Sequence, residues 1–562
     1  MVTETEAVKG KTSLATRQMS GAEAIIASLQ SNGIDTIFAL PGGQLDHLFD
    51  AMYKAGDSLR LISSRHEQGV AYMAYGYAAS TGRVGTFAVV PGPGLLNTTA
   101  ALSTAWANNA PVLCISGQIP TTSMDKGYGD LHEINDQLGL IRHLTKWAER
   151  INSAAETPGV VNEAFRQLIS GRPRPVEIEM PMDIMGQVND VTPLAAAKAS
   201  ANPPLNADRI DEAARILGNA KRPMIVVGSG ARNSCEEVMA VAEALQAPVM
   251  AKRNGKGVVS SEHYLSANLP MGHRLWAEAD AVLAVGTRLR MPLLMWGKDD
   301  DLKLVRIDID EDEVDRICTP EVGIHGDAAE ALCTLHERLG KTNRSRPSRK
   351  QELESMKAGL DQEVRDNVAP QMAYLDVIRE VLPDDGIFVD EVTQVGFTSW
   401  YGFPVYKPRQ HITAGYQGTL GYGFATALGV VAAHPDKKVI QVSGDGGFMF
   451  NVQELATAVK YRLPITTIIF NDNRFTNVQR QQKEWFGGRV IASDLHNPDF
   501  VQLAESFGAM AQRVRSPQEM KVAIESAFAQ SGPAIIEVAV DEFFPAPWKY
   551  IMMPQTRKAL CT

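Results

Sequence analysis

Two runs decide the fold of this chain: Val439-Ile440-Gln441-Val442-Ser443-Gly444-Asp445-Gly446-Gly447, and Leu463-Pro464-Ile465-Thr466-Thr467-Ile468-Ile469-Phe470-Asn471-Asp472-Asn473-Arg474-Phe475. Each is a short apolar, β-branched run that ends on an acidic residue, and Glu454-Leu455-Ala456-Thr457-Ala458 between them follows a helical pattern. Strand, helix and strand in that order predict a parallel crossover, with Asp445 and Asp472 at the carboxyl ends of neighbouring strands. Glycines on both sides of Asp445 let the backbone approach a ligand closely. Carboxylate and main-chain oxygens, rather than thiolates or imidazoles, suit a hard cation such as Mg²⁺ bridging to phosphates. A lone Gly-Asp-Gly is more often a plain turn; the paired strand context turns the reading toward a metal-diphosphate site.

This spacing and its Leu463-Pro464-Ile465 interior resemble the thiamine diphosphate motif, GDG followed after strand, helix and strand by NN. The resemblance implies a metal held by Asp445, Asp472 and the main-chain carbonyl of Arg474, with Gly444, Gly446, Gly447 and Phe475 beside the cofactor. Asp472 stands where the family usually has asparagine, which keeps an oxygen ligand and adds a negative charge. Ser64-Arg65-His66-Glu67-Gln68-Gly69-Val70-Ala71 resembles the family's RHEQGA segment and implies Glu67 as the carboxyl that hydrogen-bonds the aminopyrimidine ring. Phe38-Ala39-Leu40-Pro41-Gly42-Gly43 and Val89-Val90-Pro91-Gly92-Pro93-Gly94-Leu95-Leu96-Asn97 are similar to turns that line the cofactor cleft, which implicates Pro41, Pro91 and Asn97. Gly415 to Gly429 resembles the family's GxxGTMGxG segment, with the carbonyl of Gly418 toward the cofactor amino group and Leu420 as the apolar wedge that bends the cofactor.

The chain has 562 residues with 44% hydrophobic content, more than a single core usually holds. Alternating strand and helix patterns predict three doubly wound, parallel-sheet α/β domains. With the resemblance, these are an N-terminal pyrimidine-binding domain over residues 18–188, a middle domain over 205–340 and a C-terminal diphosphate- and magnesium-binding domain over 368–546. Linker-like runs, Pro193 to Pro204 and Lys341 to Lys350, lie between them. The first and third domains are expected to be structurally alike without sequence repetition. A net charge of −10 with no basic patch argues against a nucleic-acid partner. Five cysteines without a Cys-x-x-Cys pair indicate neither zinc nor a disulfide framework, and so a reducing compartment. Met1 to Arg17 is polar, and no apolar span of ~18 residues follows, so no membrane partner and a cytoplasmic location are expected.

From about residue 20 to 545 the chain resembles the acetolactate synthase, pyruvate oxidase and benzoylformate decarboxylase branch of the thiamine diphosphate-dependent enzymes, and most of all the acetolactate synthase large subunits. The resemblance implies a thiamine diphosphate- and Mg²⁺-dependent decarboxylase or carboligase that takes a 2-oxo acid, with or without an aldehyde acceptor, through a thiazolium carbanion and an enamine. It also implies a homodimer or homotetramer, because Glu67 and the metal motif come from different subunits in this superfamily. Two alternatives stand beside it: an FAD-dependent 2-oxo acid oxidase, and a non-catalytic ligand-binding relative. Pro223-Met224-Ile225-Val226-Val227-Gly228-Ser229-Gly230-Ala231 is half of a dinucleotide fingerprint without the full GxGxxG, so FAD in the middle domain is the less favoured expectation. Where acetolactate synthases carry RFDDR with its recognition arginine, this chain reads Arg288-Leu289-Arg290-Met291-Pro292, and Gln481 replaces the tryptophan that favours a 2-oxo acid acceptor. These departures argue against pyruvate-to-acetolactate chemistry.

His132 and Gln481 join Glu67 as candidate catalytic residues, since an imidazole beside Glu133 can exchange a proton near neutral pH. Gln44, Gln137, Phe397 and Gln417 are further candidates for the substrate pocket. The apolar groups around Trp276, Met291 and Trp296, and from Phe543 to Trp548, suit either internal packing or closure over a bulky substrate.

Overall fold

A computed structural model of the chain describes residues 15–542 and 544–559. The expectations that fall on residues 1–14, Phe543 and Cys561 lie outside the described residues. Three six-stranded sheets follow one another along the sequence, each parallel throughout. With strands numbered along the chain within each sheet, the first and the third have the same order, 2-1-3-4-6-5. The middle sheet is ordered 3-2-1-4-5-6, the arrangement of dinucleotide-binding folds. Such sheets are covered by helices on both faces, and this is why strands such as Val112–Gln118 and Ile465–Asn471 are almost continuously buried rather than alternating. An antiparallel pair, Arg17–Ser20 with Val188–Val191, ties the start of the N-terminal unit to its end. Neither short, polar strand announces itself in the sequence pattern.

The first and third units are joined by two helices, Glu67–Thr81 and Tyr422–Ala433, that are buried nearly all round. They cross at reciprocal glycines: a Cβ at Gly76 would strike the carbonyl of Thr426, and one at Gly429 the carbonyl of Met73. Tyr72 and Tyr422 then meet edge to face at 6.2 Å. One apolar cluster runs from Val70 and Tyr75 of the first helix to Phe424 and Leu428 of the second.

The apolar middle segment is internal packing. Trp276 and Trp296 are fully buried in the middle core with ring centroids 6.1 Å apart, so neither closes over a substrate. Phe544 and Trp548 likewise turn inward, onto Phe470 and Phe397. Among the described residues no helix is long and apolar enough to cross a membrane.

Candidate functional site

In open α/β sheets ligands bind beyond the carboxyl ends of the strands, where the strand order reverses. In the third sheet this point lies between Ile387–Val389 and Val439–Gly444, whose ends deliver Asp390-Glu391 and Asp445. The neighbouring strand Ile465–Asn471 pairs with Gly444 opposite Phe470, and so delivers Asp472 beside Asp445. Asp445 is buried, and its pKa is pushed up to about 6, first by burial and then by the charge of Asp472. Burial raises the Asp472 carboxyl as well, against the hydroxyl of Thr476 that donates to it. The amide nitrogen of Asn497 donates to Asp445 Oδ2 at 2.7 Å, and lies 3.1 Å from Asn471 Oδ1 and 3.2 Å from Asn473 Oδ1. Arg474 Nε donates back to the Asp472 carbonyl at 2.7 Å, and Phe475 lies against Gly446.

Among the described residues no three His, Cys, Asp or Glu side chains converge as a metal cluster. The set here is two carboxylates with amide and carbonyl oxygens, all hard donors of the kind Mg²⁺ takes. A buried Asp445 carboxyl whose ionisation is disfavoured by burial and by the charge of the half-buried Asp472 is relieved by a divalent cation. The residues present therefore fit the metal that the motif implies.

Glu391 is a residue the sequence reading missed, although its place directly after a strand end was visible. Its carboxylate accepts from Ser443 Oγ at 2.9 Å and from the Gly421 amide, and so joins the strand before Asp445 to the loop that carries Leu420. Burial raises its pKa from 4.5 to about 7. A raised acid binds its proton more tightly in the folded state, so its contribution is complete below pH 4.5 and is lost as pH rises through about 7. The shift corresponds to about 3 kcal/mol. Unfolding of Glu391→Gln against the wild type, measured across that range without metal, should show the wild type losing stability relative to the variant as pH rises; parallel curves would refute a buried, protonated Glu391.

The first sheet repeats the geometry. Its order reverses between Thr36–Ala39 and Gly85–Val89, and the chain turns there through Pro41 and Pro91. Glu67 opens the helix Glu67–Thr81, and Asn97 Nδ2 donates to its Oε2 at 3.0 Å. His132 has left-handed backbone (φ 71°), its carbonyl packs on Gly92, and its buried Nδ1 has no partner. Gln44 Nε2 donates to the Leu131 carbonyl at 2.9 Å, which leaves its buried Oε1 unpartnered. Pro41, Gln44, Glu67, Pro91, Asn97 and His132 thus gather at one end of the first sheet.

Two pocket candidates take other roles. Gln137 is buried beneath the Pro91 turn, where its Oε1 accepts from the Gly92 amide at 2.8 Å and its Nε2 donates to Glu179 at 2.8 Å, so it holds the turn in place. Phe397 is packed between Trp400 at 5.1 Å and Trp548 at 4.7 Å, as core. Gln417 and Gly418 are exposed on the loop before Tyr422, with Gly418 left-handed (φ 58°), and Leu420 and Gln481 are half-buried. Glu454, which the sequence shows only as part of a helical pattern, is fully buried and accepts from the Arg65 amide with both oxygens at 3.2 Å. It thereby ties the Glu67 segment to the loop after Gly447. Among the described residues no hydrogen bond joins Glu67 or Asn97 to Asp445 or Asp472.

At the corresponding crevice of the middle sheet, beyond Pro223–Val227 and Ala281–Val285, the protein meets itself. Asn109 donates to Ser229 Oγ at 2.8 Å, Arg172 pairs with Asp310 at 2.9 Å and Glu313 at 2.7 Å, and Arg288 donates to the Ala107 carbonyl while stacking on Tyr416 at 4.6 Å. This arrangement lends FAD no support.

Comparison with known proteins agrees with the geometry. The family models for thiamine pyrophosphate enzymes match in succession: the N-terminal TPP binding domain over residues 19–140, the central domain over 210–335 and the C-terminal TPP binding domain over 391–538. A probable acetolactate synthase large subunit of Methanococcus aeolicus is 31% identical over 93% of this chain and 92% of its own length. The acetolactate synthase of Arthrospira platensis is 32% identical over 94% and 95%. A probable 2-ketoarginine decarboxylase of Pseudomonas aeruginosa is 30% identical over 93% and 94%. Three successive domain matches, one on each sheet, and relatives aligned over almost the whole length show that the chain belongs to the thiamine pyrophosphate enzymes, as an acetolactate synthase-like member.

Proposed function

We propose that the protein is a Mg²⁺- and thiamine diphosphate-dependent decarboxylase or carboligase of a 2-oxo acid. The observation that supports this most directly is the pair of acids at adjacent strand ends among amide oxygens, Asp445 buried and Asp472 half-buried. In this reading Asp445, Asp472 and the Arg474 carbonyl hold the cation, and Gly444, Gly446 and Gly447 face the diphosphate. When bound, the cofactor supplies the electron sink for loss of CO₂. Glu67, oriented by Asn97, would hold a proton at the aminopyrimidine ring nitrogen, and Leu420 would be the apolar side chain that packs against the cofactor. His132, with Nδ1 unpartnered, and Gln481 would contact the substrate, where an imidazole can move a proton to or from it.

Pro292 takes the place of the acetolactate synthase recognition arginine and opens the turn Pro292–Trp296, while Arg288 is engaged by Ala107 and Tyr416. Those positions favour a proton or an aldehyde as acceptor over a second 2-oxo acid. In this reading the Glu67 segment and the metal motif are two half-sites, each followed or preceded in the chain by exposed apolar side chains, Tyr128 (68%) and Leu131 (70%) in the first domain, Trp485 (68%) and Phe486 (54%) in the third. Such surfaces mark interfaces, and a homodimer that sets one chain's Glu67 against its partner's metal motif would cover both. The four described cysteines, Cys114, Cys235, Cys318 and Cys333, are free of disulfides, which accords with a cytoplasmic enzyme.

The test is to incubate protein, thiamine diphosphate and Mg²⁺ with a panel of aliphatic, aromatic and guanidino 2-oxo acids, with and without an aldehyde, while following CO₂ and products by mass spectrometry. Aldehyde or hydroxyketone from one acid is the expected result. A protein that binds the cofactor yet releases no CO₂ from any acid would overturn the reading.

A further inference from the structure

All three domains meet at the start of the loop that carries Gly418 and Leu420. That loop turns on three left-handed glycines, Gly415 (φ 65°), Gly418 (φ 58°) and Gly421 (φ 78°), so local preference alone does not set its shape and it needs outside anchors. At its far end the Gly421 amide donates to Glu391. At its start a Cβ on Gly415 would strike the Asn108 carboxamide of the first domain, and the Gly415 carbonyl accepts from the Arg253 guanidinium of the middle domain. Arg253 opens the turn Arg253–Gly255 just past the strand Val249–Ala251, and the next residue, Asn254, donates to Asn108 Oδ1. The guanidinium lies 3.8 Å from the ring centroid of Trp400, whose Nε1 donates to Asp390 at 2.8 Å. This placement costs the fold free energy. Arg253 has left-handed backbone (φ 45°), which a Cβ disfavours, and its buried Nε has no partner among the described residues. Burial lowers its pKa, and the charges of Asp390 and Tyr422 only partly offset this. Such outliers persist where the surroundings hold them, and they gather at functional sites.

We propose that Arg253 is a positioning residue for the cofactor loop: by holding the Gly415 carbonyl beside Asn108 it keeps the loop from Gly415 to Leu420 in one conformation, so that Gly418 and Leu420 are already placed when thiamine diphosphate binds. This inference rests on the functional reading above, which gives Gly418 and Leu420 to the cofactor. It assigns the middle domain a part in cofactor binding that needs no nucleotide of its own, because a cation from the end of its sheet reaches the neighbouring loop. A loop that is held in place does not have to be ordered on binding, and the entropy not lost then appears as affinity.

The experiment compares wild type, Arg253→Met and Arg253→Lys in three ways: calorimetric titration with thiamine diphosphate in the presence of Mg²⁺, thermal melting without cofactor, and hydrogen–deuterium exchange of the peptide over residues 413–421. Methionine keeps an unbranched apolar stem against Trp400 but loses the donor and the charge. Arg253→Met should bind the cofactor roughly tenfold more weakly, the equivalent of one lost hydrogen bond to a charged group, and its loop should exchange faster. Its melting temperature should stay close to that of the wild type, because removal of a buried charge offsets the unpaired Gly415 carbonyl. Arg253→Lys, which keeps a cationic donor, should recover most of the affinity. If affinity and melting temperature fall together, with lysine no better than methionine, Arg253 is a support of the fold and the proposal is overturned. Undiminished affinity in Arg253→Met, in a wild type that binds the cofactor, sinks the positioning role alone. A wild type that binds no thiamine diphosphate would instead sink the functional reading on which it rests.

Discussion

Glu67→Gln should slow turnover of the 2-oxo acid by roughly 10²–10⁴-fold, the range of a positioned acid or base, and leave cofactor affinity nearly unchanged. The side chain sits at the first turn of Glu67–Thr81 and accepts from Asn97 at 3.0 Å. Glutamine keeps an oxygen for Asn97 and the same length, so the helix entry and its contacts survive. What it cannot keep is a carboxyl group able to hold and release a proton at the aminopyrimidine nitrogen. The loss should therefore appear in kcat with KM little altered, the pattern of an interaction made at the transition state. Exchange of the cofactor's C2 proton, followed by NMR after deuterium quench, isolates this step from substrate binding. Exchange at the wild-type rate in the variant would remove Glu67 from the mechanism. Asn97→Ala offers a graded control, since it leaves the carboxyl in place but frees its orientation.

How far the sequence carried the reading depends on how local the information is. Asp445 and Asp472 were legible because each follows its own strand directly, and two parallel neighbouring strands place their ends together whatever the rest of the chain does. Alternating patterns made the parallel sheets legible but not their strand order, which is 2-1-3-4-6-5 in both outer sheets and 3-2-1-4-5-6 in the middle one. Side chains that arrive from elsewhere were not legible. Asn497 reaches Asp445 from the far end of a returning loop, and Gln137 turns under the Gly92 turn instead of into the pocket, because a buried Glu179 and the Gly92 amide claim both ends of its carboxamide. Phe397 and Trp296 read as possible pocket walls from their apolar character, and only the packing partners show them to be core. Glu391 and Glu454 are carboxyl side chains in fully buried places, and burial preference alone argues against such positions. Hydrogen-bond donors offset the burial, Ser443 and the Gly421 amide for Glu391 and Thr457 and the Arg65 amide for Glu454.

Asp445→Ala should weaken Mg²⁺-dependent cofactor binding by at least about 100-fold, since partners outside the coordination shell alone typically account for 10–100-fold. The same substitution should leave the metal-free protein folded. Asp445 is held near a pKa of about 6 by burial and by Asp472, so its ionised form is disfavoured in the empty site, and removing it relieves that strain while giving up the Asn497 contact. A metal-free melting temperature close to wild type, together with lost binding of thiamine diphosphate by calorimetry, is the expected pair of results. Unchanged affinity would mean that the cation is held elsewhere. The variant also tests the two half-sites. In the proposed homodimer, co-expressed Glu67→Gln and Asp445→Ala chains would form mixed dimers in which one site carries both lesions and the other carries neither, so random assembly should restore about a quarter of wild-type turnover from two inactive parents. If each site were built within one chain, every site in the mixture would carry one lesion and no activity would return.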